Sequence, residues 1–186
     1  MLKKNKSVHF CILCALRDLN CVIFTCSHLI AIVSAMKTSW IITAPVELQA
    51  VVQEILTAHE SQKNTPLVIC LQGDLGAGKT AFTQELGKVL GVTDVITSPT
   101  FTIMKQYDTT HPQYQTLVHI DAYRLESEAE TKPLHITEMI SQPHTVSCIE
   151  WPEIIPATIP ESAYTVRIKI LAEEQREVTI TLTKEQ

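Results

Sequence analysis

Residues 73–80 read GDLGAGKT, and no other stretch of this 186-residue chain limits its fold so tightly. The octet matches G-x4-G-K-[ST] and follows LVICL, an apolar run of strand length without polar alternation. Such a run suits a central parallel strand covered on both faces. A helix through about Leu90, stopped by Gly91, is expected next. Strand, glycine-rich turn and helix form the setting in which this motif cradles phosphate. Glycines let the backbone turn tightly, so that successive N–H groups converge on an anion at the positive end of the helix. Gly73, Asp74, Leu75, Gly76, Ala77, Gly78, Lys79 and Thr80 are therefore the candidate nucleotide-binding residues. Lys79 supplies a point charge for the outer phosphates, and the Thr80 hydroxyl is a candidate Mg²⁺ ligand. An ordinary glycine-rich turn accounts for the glycines but not for Lys-Thr at the right offset.

Magnesium and a water nucleophile need carboxylates near that loop. LVHID ends in Asp121 and VSCIE in Glu150, each an apolar strand pattern delivering an acid at its end. In open α/β sheets ligands bind at that carboxyl edge. Asp121 and Glu150 are thus candidates for both metal and water. Further strands are expected at 38–43, TSWIIT, at 101–107, and at 163–171 and 177–182, the last two alternating strongly around AEEQ as a hairpin. Pro45 opens a helix through about His59, with Val46, Leu48, Val51, Val52, Ile55 and Leu56 as its apolar stripe. The fold class is α/β, with a mostly parallel central sheet flanked by helices and an antiparallel C-terminal hairpin at its edge.

Composition sorts the partners. The net charge is −5, but residues 1–35 carry Lys3, Lys4, Lys6 and Arg17 against Asp18 alone, which leaves −8 for residues 36–186. That balance gives no general pull on phosphate backbones, so any nucleic acid would be met only through partner proteins. Cys70 and Cys148 lie in apolar runs and read as buried thiols of a reducing compartment, hence a cytoplasmic protein. Residues 1–35 do not share the patterning of the rest and are expected to stand apart from the P-loop domain at 36–186, with Met36 as its start. Their cysteines, Cys11, Cys14, Cys21 and Cys26, lack the paired short spacings of structural zinc sites. Arg17 and Asp18 interrupt a signal-peptide core, and residues 19–36 fall short of the roughly 20 apolar residues of a membrane span, so no membrane is expected.

No Lys is followed two residues later by Asp, as the guanine-recognition segment [NT]-K-x-D requires. Only Arg124, Arg167 and Arg176 lie in the domain, few for a small-molecule or nucleoside kinase, which must stabilise charge across a transferring phosphoryl group. That kinase is the alternative, and a nucleotide-dependent binding module a third reading. GDLGAGKT, SPTF at 98–101, HIDAYRL at 119–125 and IEWPE at 149–153 occur in this order, and together they resemble the TsaE family of P-loop ATPases. The resemblance implies the P-loop NTPase fold and an ATPase, weak alone, that uses ATP and Mg²⁺ and works with TsaD and TsaB in tRNA threonylcarbamoyladenosine modification. It implies that Thr100 belongs to a switch-like loop sensing the γ-phosphate, and that Asp121 and Glu150 serve metal and water. His119, inside an apolar run, reads as a hydrogen-bonded core histidine rather than a base. Trp151 and Tyr123 read equally as nucleotide or partner contacts and as lids over the core, and Arg124 as a functional group or a solvated ion-pair partner.

Overall fold

The computed structural model describes residues 38–62 and 64–182. The expectations for residues 1–35, including their cysteines, lie outside the described residues. The strands are β1 (Ser39–Ile42), β2 (Leu67–Gln72), β3 (Met104–Asp108), β4 (Thr116–Asp121), β5 (Thr145–Glu150), β6 (Tyr164–Ala172) and β7 (Gln175–Leu182). The helices are α1 (Leu48–His59), α2 (Lys79–Leu90) and α3 (Ile136–Ile140), joined by short 3-10 turns.

All seven strands form one sheet in the order β1-β7-β6-β2-β5-β4-β3. β6, β2, β5 and β4 run parallel to their neighbours in that block, while β1 with β7, β6 with β7 and β3 with β4 pair antiparallel. The mixed α/β fold is as expected, but the C-terminal hairpin is not an edge. β1 pairs with β7 along Ser39–Ile42 and closes it off. A short strand separated by the whole domain from its partner leaves no local mark of its pairing.

The central strand explains the position of the site. β2 has β5 on one side and β6 on the other, and the chain leaves β2 through α2 to the far edge before returning through β4 and β5. The strand order therefore reverses beside β2, which opens a crevice at its carboxyl end. β2 is buried from Leu67 to Leu71, as its unbroken apolar run requires. Val68 and Cys70 join Val118, Ile120, Ile149, Ile136 and Ile140 in a core on the α3 face. Leu67, Ile69 and Leu71 point to the opposite face, where α1 lies along α2 and α2 touches β5. In α1, Leu48, Val51, Val52, Ile55 and Leu56 are buried as the stripe predicts, whereas Val46 is exposed. Val46 sits in the 3-10 turn Pro45–Glu47, whose different pitch takes it off the helical stripe.

Candidate nucleotide and metal site

The loop between β2 and α2 depends on glycine where the backbone demands it. Gly73 has φ 148°, and a Cβ there would run into the Ile168 carbonyl oxygen of β6. Gly78, with φ 113°, stands as the N-cap of α2. The N–H groups of Gly78, Lys79 and Thr80 have no acceptor among the described residues, as expected of donors at a helix start. They are the natural partners of a phosphate. Lys79 is 5% exposed, and its Nζ donates to the carbonyls of Gly73 at 2.6 Å and Asp74 at 2.9 Å. The ammonium also lies 4.0 Å from the centre of the Trp151 ring. Burial pulls the Lys79 pKa below its usual value, while the nearby carboxylates of Glu150, Asp121, Glu153 and Asp74 act the other way. The cation is thus poised in a dry setting that a phosphate would complete.

The two strand-end carboxylates meet beside this loop. Asp121 and Glu150 are partners in the parallel β4–β5 register, so both side chains leave the same face at the same level. They are 4% exposed each. Thr80 Oγ1 donates to Glu150 Oε1 at 2.9 Å, which leaves the hydroxyl lone pairs for a cation. Glu150 Oε2 has no partner among the described residues. Asp121 Oδ2 accepts from Ser98 Oγ at 3.1 Å and Thr100 Oγ1 at 2.7 Å, and its Oδ1 from the Tyr123 N–H at 3.1 Å. The SPTF segment is therefore anchored to Asp121 through two hydroxyls.

These groups line one pocket of about 370 Å³, shared by Leu75, Gly76, Gly78, Lys79, Thr80, Ser98, Thr100, Asp121, Tyr123, Glu150 and Trp151. A second hollow, of about 410 Å³, backs onto the same loop at Gly76, Ala77 and Gly78. Its walls are mainly apolar, from Ile42, Pro45, Leu48, Ile168 and Val178, with Glu173, Glu174 and Arg176 at the hairpin. One loop thus separates a charged chamber from a largely apolar one.

A family model described as "Threonylcarbamoyl adenosine biosynthesis protein TsaE" matches residues 42–178. The chain belongs to the TsaE family. A TsaE of Bacillus subtilis strain 168, named a tRNA threonylcarbamoyladenosine biosynthesis protein, is 36% identical over 146 residues, covering 78% of this chain and 85% of that protein. A TsaE of Treponema pallidum bearing the same name is 39% identical over 113 residues, covering 61% of this chain and 80% of the relative. The crystal structure of YdiB of Bacillus subtilis superposes with a TM-score of 0.56 at 31% identity, covering 78% of this chain and 84% of that one.

Within this TsaE-family chain, Leu75, Gly76, Gly78, Lys79 and Thr80 of the expected phosphate loop line one chamber with both carboxylates and Thr100. Gly73 and Asp74 meet it through their carbonyls, which accept from Lys79, and Ala77 faces the second hollow. Sequence reasoning did not find the second hollow, whose walls come from β1, α1, the loop and the hairpin. It also did not assign Ser98 a contact, although SPTF placed the residue beside Thr100. His119 is buried and hydrogen-bonded as expected, and its partner is Glu150. Trp151 lies under the Lys79 ammonium with Tyr123 at 5.2 Å between ring centres. Arg124 makes no ion pair among the described residues; its guanidinium lies 4.6 Å over the Phe101 ring.

Proposed function

We propose that this chain binds ATP with Mg²⁺ and hydrolyses it as the accessory ATPase of tRNA threonylcarbamoyladenosine modification, acting in the cytoplasm with TsaD and TsaB. The observation that carries the reading is the register of Asp121 with Glu150 one hydrogen bond away from Thr80. Phosphoryl transfer to water is largely a matter of positioning and charge stabilisation, and this chamber supplies both. The loop N–H groups and Lys79 hold the β- and γ-phosphates. Thr80 would hold the cation through its lone pairs while its O–H continues to donate to Glu150. Among the described residues no three His, Cys, Asp or Glu side chains gather as a metal cage. Mg²⁺ suits that arrangement, since it takes one or two protein ligands with substrate phosphates and keeps several waters. The free Oε2 of Glu150 and the Asp121 carboxylate then serve the metal's waters and the attacking one. Thr100, which donates to Asp121, would exchange that contact for one with the γ-phosphate. The adenine ring belongs in the second hollow, whose apolar walls and few polar groups suit a base.

The test is hydrolysis of ATP by the isolated chain and by its mixture with TsaD and TsaB, with nucleosides and sugars offered as acceptors. Slow release of inorganic phosphate that the partners accelerate is the expected result. Rapid transfer to a small acceptor would make the protein a kinase instead.

A further inference from the structure

We infer that His119 is a positioning residue for Glu150, an inference that rests on the proposed role of Glu150 in hydrolysis. His119 lies on β4 two residues before Asp121, so it leaves the same face of the sheet. Its side chain is 0% exposed, and Nε2 stands 2.9 Å from Glu150 Oε1. A carboxylate can only accept, so the imidazole carries its proton on Nε2. Nδ1 has no partner and is buried. A buried polar atom without a partner costs free energy, and a core position filled by an apolar residue would avoid that cost. What the histidine adds here is the bond to Glu150.

The consequence for the carboxylate is geometric. Thr80 Oγ1 and His119 Nε2 both donate to Oε1, from two different elements, α2 and β4. Two donors on one oxygen fix the rotation of the carboxyl group and leave Oε2 as the atom without a protein partner. Without His119, Oε1 is held by Thr80 alone. The carboxylate is then free to turn, and Oε2 loses its aim at the attacking water. Such outer partners of ligating groups are typically worth 10- to 100-fold in activity.

Four variants of the full chain test this, with ATP turnover measured in the presence of TsaD and TsaB and ATP affinity measured separately. His119→Phe fills the space without a donor and is expected to lower kcat by about 10- to 100-fold while ATP affinity changes by less than about threefold. His119→Gln places an amide N–H near the position of Nε2 and is expected to recover most of the loss. His119→Asn, whose amide reaches only the position of Nδ1, is expected not to. Nitrogen NMR of the wild-type imidazole should show Nε2 protonated and Nδ1 bare. Equal kcat in the Gln and Asn variants, or a bare Nε2, would overturn the inference, and this pair decides the matter even if His119→Phe does not fold. Glu150→Gln runs beside them. If it keeps wild-type turnover, the reading of the site fails; if it loses turnover while His119→Phe does not, only the role of His119 fails.

Discussion

At the residue scale, each side chain in the chamber should leave its own kinetic signature. Lys79 is the one ammonium facing the phosphate loop among the described residues, and its present partners are two backbone carbonyls. Lys79→Ala should therefore abolish measurable ATP binding by calorimetry, since the N–H groups alone would face the charge of the triphosphate. Thr80 acts through the cation, so Thr80→Ala should impair Mg²⁺-dependent hydrolysis more than binding of nucleotide in EDTA. Equal losses in both would make the hydroxyl structural. Asp121→Asn and Glu150→Gln keep shape but remove charge where a metal ligand or water-orienting group acts mainly on the transition state. Partner-stimulated hydrolysis should fall by about 10²-fold or more, on the order of 3 kcal/mol, with ATP affinity changed far less. Because the two groups share one metal and one water, the double variant should be little worse than the poorer single one. Additive losses would show that one carboxylate works elsewhere.

At the scale of elements, the loop is held in place by the hairpin as much as by its own glycines. Gly73 combines φ 148° with a Cα packed against the Ile168 carbonyl, so Gly73→Ala strains the backbone and pushes β2 away from β6 at once. A loss of about 1–3 kcal/mol is expected from the conformation alone. It should appear as a lower midpoint in urea, together with weaker ATP binding. Wild-type values for both would mean that the loop can relax. The elements that carry the chemistry were legible because their signals are local. GDLGAGKT sits between a strand and a helix, and each acid ends an apolar run, so a few adjacent residues state the reading. The remainder depends on contacts between distant segments. β1 closing the hairpin, Ser98 bonding to Asp121 and His119 meeting Glu150 join residues 23 to 140 positions apart, and no period in the chain encodes them. Val46 failed for a smaller reason, a turn of 3-10 pitch where an α-helical period was assumed.

At the scale of the whole molecule, the surface argues about tRNA. The part of the chain beyond residue 35 has a net charge of −8, so the far field repels a polyanion. Most of the described cations are also committed locally, Lys132 and Arg124 being outside any ion pair among the described residues. Lys79 is buried in the loop, and Lys88 pairs with Glu85 at 2.6 Å. Lys105 bonds to Thr97, Arg167 to Gln72 and Arg176 to the Glu173 carbonyl, while Lys169 stands opposite Glu177 in the β6–β7 register. Among the described residues no basic stripe is left to track a phosphate backbone, and that stripe is the footprint of nucleic-acid binders. Non-specific affinity for nucleic acid is bought with neutralised phosphates and released counterions, and this surface offers few of either. The isolated chain should accordingly produce no anisotropy change with fluorescent tRNA at about 10 μM protein and physiological salt, where non-specific binders with dissociation constants toward 10⁻⁶ M already register. With TsaD and TsaB present, the same chain should migrate with the tRNA because the partners hold the nucleic acid. Micromolar binding by the chain alone, weakening steeply as salt rises, would show that the charge on some face outweighs the whole and that the protein meets its tRNA directly.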